Sequence, residues 1–176
     1  MEVQQPFNLR QKPNLKQVIL IKNGEVEKNR FEGCGDILTK KGTESLKVTA
    51  KKIAPLVGDL KTEVYSCKMQ SAVLSARVIK NSLGLFSYVS SRTYGLQEVI
   101  DTIINLPDDI EVLIFVTHQD EEAIQSFLFN LAKELDTLLN VNIARDQLSW
   151  PPMCGQAIQI TISHYAINTT LSAVLL

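Results

Sequence analysis

The segment from Glu111 to Thr117 constrains this chain most. Its centre, Val112-Leu113-Ile114-Phe115-Val116, is apolar at every position. Successive side chains of a strand point to opposite faces, so an unbroken apolar run predicts a strand buried on both sides. Strands of that kind belong to parallel sheets with helices packed on both faces. The rest of the chain follows the same plan. Val18-Ile19-Leu20-Ile21 reads as a buried strand and Glu63 to Ser66 as a short one. Phe86 to Ser90 reads as another. Between them, Leu46, Ala50, Ile53, Ala54 and Val57 recur at helical spacing over Thr43 to Leu56, with Lys47, Lys51 and Lys52 facing out.

A second helical stripe, Met69, Ala72, Val73, Ala76, Ile79 and Leu83, covers Lys68 to Leu83, and Gly84 supplies a C-terminal stop. Pro55 is placed to kink or end the first of these helices. Leu96 to Leu106 forms a further helix before the turn Pro107-Asp108-Asp109. Asp120 to Leu139 is the longest predicted helix, with acidic residues at its positive end. Its Phe127, Phe129 and Leu131 suit either the core or a homo-oligomer face. Gln156 to Ser163 and Ile167 to Leu175 read as strands, joined by Tyr165-Ala166 and forming an antiparallel edge. Asn23 to Gly42 reads as a charged, glycine-bearing loop, and Trp150-Pro151-Pro152 as a rigid, packed one. Strands alternating with helices give a three-layer α/β/α sandwich with a mostly parallel central sheet.

Length and composition set the remaining bounds. A chain of 176 residues predicts one domain over 1–176, beginning with a polar arm over 1–16. With 18 Lys+Arg against 19 Asp+Glu, it has no basic footprint for nucleic acid. No apolar run approaches the roughly 20 residues of a membrane-spanning helix, and the polar start carries no signal-peptide core. Three cysteines, Cys34, Cys67 and Cys154, are too few and too scattered for a disulfide framework or a cysteine-rich zinc site. These features predict a cytoplasmic protein with no metal and no cofactor.

Ligands of open α/β sheets bind at the carboxyl ends of the strands. Lys22-Asn23-Gly24-Glu25, Ser66 to Ser71, Tyr94 to Glu98 and Thr117-His118-Gln119 occupy those ends. Read in order, they resemble the motifs of the histidine phosphatase superfamily, the phosphoglycerate mutase-like fold. Lys22-Asn23-Gly24 stands where that family has Arg-His-Gly, whose His accepts the phosphoryl group. Gly33, Asp36, Leu38, Thr39 and Gly42 follow the family's next motif. Ser66-Cys67-Lys68-Met69-Gln70-Ser71-Ala72 with Ser75-Ala76 follows its Ser-Ser-Pro-Leu-x-Arg-Ala stretch, and Val112 to Thr117 then His118 matches its second histidine. The likeness runs from Val18 to Ile162. It is nearest to the small bacterial phosphohistidine phosphatases, whose late Pro-Pro loop is similar to Pro151-Pro152-Met153.

The departures carry chemistry. Asn23 replaces the nucleophile, and an amide nitrogen whose lone pair is delocalised into its carbonyl cannot form a phosphoenzyme. Lys22 keeps the charge of the first clamping Arg without its bidentate fork. Ser71 replaces the second clamping Arg and loses the charge. The resemblance therefore implies a pseudoenzyme with an oxyanion pocket around Lys22, Asn23, Asn29, Ser71 and His118. Glu98 stands where members carry an acid, although a solvated carboxylate at a helix start explains it equally. A phosphorylated small molecule or phosphoprotein is the implied partner. The competing readings are an active phosphatase that uses His118 and a protein-interaction module.

Bland readings accompany each residue. Asn-Gly is a common turn pair, and His118 suits the orientation of the acidic helix start at Asp120 as well as it suits a pocket. Cys67 lies just before a helix N-terminus, where a thiol ionises more readily, but it reads first as a small buried hydrophobe. Lys68, Arg30 and Arg92 are charges available at the pocket mouth. His164 reads as a surface residue near a turn.

Overall fold

The computed structural model describes residues 11–31, 35–86, 90–92, 97–118, 138–140, 154–164 and 169–176. The elements in chain order are β1 (Gln17–Lys22), β2 (Val26–Glu27), β3 (Ile37–Leu38), α1 (Lys40–Val57), β4 (Thr62–Cys67) and α2 (Gln70–Ser82). They continue with β5 (Ser90–Arg92), α3 (Gln97–Asn105), β6 (Val112–Thr117), β7 (Leu138–Asn140), β8 (Ala157–His164) and β9 (Thr169–Leu175). The main sheet has the order β5-β4-β6-β1-β8-β9-β7. Strands β5, β4, β6 and β1 are mutually parallel. β8 runs against both β1 and β9, and β7 is parallel to β9. β8 alone therefore opposes the other strands, and the mostly parallel sheet of the sequence reading is present.

The layering follows from the crossovers. The chain steps in one direction across the sheet from β1 through α1 to β4, and again through α2 to β5. It steps back through α3 to β6. Right-handed connections put α1 and α2 on one face and α3 on the other. Burial agrees with this. Ile19, Ile21, Val64, Val112, Ile114 and Val116 form one cluster with Leu46, Ala50, Ile53 and Val57 of α1 and Ala72, Ala76 and Ile79 of α2. The alternate residues Val18, Leu20, Leu113, Phe115, Ile158 and Ile160 are also buried, as are Val99 and Ile103 of α3. β6 lies between β1 and β4 and is buried at every position, which is why its sequence shows no alternation.

Several boundaries differ from the sequence reading. The segment from Asn23 to Gly42 is more than a loop, because β2 and β3 pair antiparallel and α1 already begins at Lys40. The side chain of Thr39 caps α1 by accepting the Gly42 N–H at 2.8 Å. Pro55 does not stop α1. It lies inside the helix, which runs on to Val57 and closes with the Gly58 N–H on the Ala54 carbonyl. Proline lacks the N–H that would bond the Lys51 carbonyl, so the break falls in the last turn of the helix. Ala54 is exposed, and Met69 is the exposed N-cap of α2 rather than part of its stripe. Gly84 takes a positive φ of 68° after α2 and ends it as expected.

The polar arm is docked where it is described. Leu15 is buried, and the Lys12 Nζ donates to the Leu106 carbonyl and pairs with Asp108. β8 is an inner strand, so the antiparallel pair does not itself form the edge. β7 takes that place beside β9. Leu138 and Leu139, placed by periodicity at the end of a long helix, belong to β7. Neighbouring Leu residues satisfy either period, and pairing with Thr170 and Leu171 decides between them. The remainder of that helix lies outside the described residues, with Phe127, Phe129 and Leu131. So do Gly33, Cys34, Tyr94 to Leu96, Trp150-Pro151-Pro152, Tyr165-Ala166 and positions 87–89. Of the strand expected over Phe86 to Ser90, Ser90 opens β5, while Phe86 precedes it and is exposed.

At the amino ends of the parallel strands, charges pair at the surface. Lys16 meets Glu111, and Lys61 meets Asp109. Glu63 on β4 is half-buried beside them. Burial, and then the Asp109 carboxylate, push its carboxyl above the ordinary range. A raised carboxyl costs nothing below its unfolded value and becomes a penalty as pH rises through its folded value. Glu63→Gln should therefore raise the melting temperature at pH 7. That gain should vanish near pH 4, and thermal melts at the two pH values check it.

Candidate active site at the carboxyl ends of β1, β4 and β6

β1 and β6 run side by side, with Lys22 opposite Thr117. The next residue on each strand is Asn23 and His118. The Asn23 N–H donates to the Thr117 carbonyl at 2.8 Å and extends the ladder by one step. Backbones of paired strands lie about 4.8 Å apart, so these two side chains leave neighbouring strand ends together. Asn23 is buried, and its Nδ2 donates to the Gly24 carbonyl at 2.9 Å. Lys22 is half-buried.

The turn after β1 is held from two sides. From α2, the Ser75 Oγ accepts the Gly24 N–H at 3.0 Å and donates to the Ser71 carbonyl at 2.7 Å. Ser71 itself is buried in the first turn of α2. From the other side, the Gly155 N–H donates to both the Lys22 and Asn23 carbonyls at 3.0 Å. The Lys22 N–H donates to the Gln156 carbonyl, and the Thr49 hydroxyl of α1 donates to the Gly155 carbonyl. Gly155 sits at φ 83°, in the left-handed region that favours glycine. A Cβ there would collide with the Ser45 side chain. Two glycine-mediated contacts therefore set the backbone beneath Lys22 and Asn23.

His118 is half-exposed, and its Nδ1 lies 3.0 Å from the Sγ of Cys67. Cys67 ends β4, the neighbour of β6 on the far side from β1. The sequence reading favoured a buried hydrophobe at Cys67. It is buried, but it contacts an imidazole rather than only apolar groups. Along the chain only their positions after strands were visible; the pairing of β4 with β6 brings Cys67 and His118 together.

Lys22, Asn23, Ser71 and His118 thus all lie at one end of the sheet. Asn29 lies on the loop after β2, where its Oδ1 accepts the Phe31 N–H at 3.2 Å in a local turn. Glu98 is the second residue of α3. Among the described residues, no three His, Cys, Asp or Glu side chains gather to hold a metal ion. No helix among them is long and apolar enough to cross a membrane. His164 ends β8, exposed, with its Nε2 3.2 Å from the Leu15 carbonyl.

The arrangement is that of a known class of fold. A protein of Nakamurella multipartitia assigned as the phosphohistidine phosphatase SixA superposes with a TM-score of 0.64, at 13% identity over 92% of this chain and 95% of its own. The protein histidine phosphatase SixA complexed with tungstate matches with a TM-score of 0.57, at 14% identity over 88% of this chain and 93% of that one. Phosphoglycerate mutase of Plasmodium falciparum matches with a TM-score of 0.54, at 18% identity over 92% and 88%. The chain therefore has the phosphoglycerate mutase-like α/β fold shared by the histidine phosphatases. No family model matches the sequence, and neither does any curated protein sequence.

Proposed function

We propose that this chain is a diverged, single-domain, cytoplasmic member of the histidine phosphatase superfamily that has lost the phosphohistidine route and keeps an oxyanion pocket. One observation carries the reading: Asn23 follows β1 beside His118 at the end of β6. In the family motif, the first of those positions holds the nucleophile. An amide cannot take the phosphoryl group, and Ser71 supplies no charge in place of a clamping Arg. Phosphoryl transfer depends on positioning and charge stabilisation, so both losses act on the same step. The pocket lies around Lys22, Asn23, Ser71 and His118, with Asn29 on its approach and Glu98 as the remaining acid. Lys22 provides the cation, His118 a donor, and the Asn23 amide further hydrogen-bonding capacity. The tungstate complex of SixA, an oxyanion bound to the same fold, supports a phosphorylated small molecule or phosphoprotein as the ligand.

The test has two parts. Hydrolysis of an aryl phosphate and of a phosphohistidine peptide by the native chain should not exceed that by His118→Ala. Tungstate should raise the melting temperature of the native chain, and less so in Lys22→Ala. Turnover that disappears in His118→Ala would replace this reading with a phosphatase of altered mechanism. An absence of any oxyanion effect would replace it with an interaction module.

A further inference from the structure

Beyond the oxyanion pocket, with which it shares His118, we infer that Cys67 and His118 form a reactive thiol–imidazole pair, a site for small neutral electrophiles such as hydrogen peroxide. The pair has the two parts that an activated nucleophile requires, a thiol and a base within hydrogen-bond reach, at 3.0 Å. They are held there by the sheet, at the ends of the paired strands β4 and β6. α2 opens at Gln70, three residues after Cys67, so its positive end and Lys68 lie close in sequence to the sulfur. His118 can accept the thiol proton and, as imidazolium, hold the thiolate.

Burial selects the reagent. Cys67 is 2% exposed. A bulky ester has little access to the sulfur, whereas a molecule of two heavy atoms needs only a small opening past the half-exposed His118. The reaction balances as written. The thiolate attacks one oxygen of the peroxide, an S–O bond forms and the O–O bond breaks. Sulfur is oxidised by two electrons to the sulfenic acid. The departing hydroxide takes the imidazolium proton and leaves as water.

The test measures thiol reactivity in the full-length chain and needs no turnover. Each cysteine is followed by peptide mapping after timed exposure to iodoacetamide, and separately to peroxide with a sulfenic-acid trap. An unperturbed thiol titrates near about 8.5, so its alkylation rises roughly 80-fold between pH 6 and pH 8. Burial slows iodoacetamide alike at every pH, so the profile is the readout: alkylation of Cys67 should rise less than about tenfold between pH 6 and pH 8, against the roughly 80-fold rise of an unstructured cysteine peptide. Peroxide should yield trapped sulfenic acid at Cys67 ahead of the exposed Cys154. In His118→Ala the steep profile of the peptide should return. The inference is overturned if Cys67 follows the peptide's pH profile, or stays unmodified in the folded protein while Cys154 reacts. It is also overturned if folded His118→Ala leaves the profile unchanged. The native pH profile decides the matter even if that variant does not fold.

Discussion

Phe115→Ala should cost about 3–5 kcal/mol of stability, the range for removing a buried aromatic ring. At roughly 2–4 °C per kcal/mol for a chain of this size, the melting temperature should fall by about 6–20 °C. Phe115 is 1% exposed and lies at the centre of β6. Its register partners are Leu20 on β1 and Tyr65 on β4. The ring therefore fills the face opposite α1 and α2, between two strands that cannot close the gap without breaking their ladders. Packing at this density relaxes only in part around a cavity of that size. Chemical denaturation of the two proteins, with the m-value compared, checks the effect. A loss below about 1.5 kcal/mol would mean that this face is loosely packed and that the three-layer account of β6 is wrong.

Gly155→Ala should weaken both the fold and the pocket. The left-handed backbone alone costs a non-glycine residue roughly 1–2 kcal/mol. The crowded Ser45 side chain adds to that, and α1 cannot withdraw because the Thr49 hydroxyl bonds the Gly155 carbonyl. The same N–H fixes the Lys22 and Asn23 carbonyls, so displacement of Gly155 moves the floor of the site. Gly84→Ala is the matched control. It has φ 68°, but a Cβ there meets nothing within 4 Å. Gly84→Ala should therefore show the backbone cost alone and leave the tungstate-induced shift in melting temperature intact. Gly155→Ala should lose more stability than this control and most of the tungstate shift. Equal losses in the two variants would remove Gly155 from the account of the site.

The two-faced burial of β6 was legible because an apolar residue at every position has few alternative explanations. The stripes of α1 and α2 were legible for the same reason, since their periods are long enough to exclude a strand. The pair β2 and β3 was not. Two residues on each side carry no period, and only the fold of the chain between β1 and α1 brings Val26 opposite Leu38. Leu138 and Leu139 failed as helix residues because their period is ambiguous and the neighbouring β9 decides it.

At the site, the family-like order of Lys22-Asn23-Gly24, Ser71 and His118 could be read along the chain, since each follows a strand or opens a helix. Gly155 could not. It lies more than a hundred residues from the carbonyls it holds, and nothing in Met153-Cys154-Gly155 announces them. The Cys67 contact with His118 has the same character. The sequence by itself determined where the buried strands lie and that Asn23 carries an amide, which cannot accept a phosphoryl group, because those depend on local period and on side-chain chemistry. Only the tertiary structure decided that β6 inserts between β1 and β4, and hence that His118 stands between Asn23 and Cys67. Strand order is set by crossover direction and by packing over the whole sheet, and no local stretch of sequence contains it.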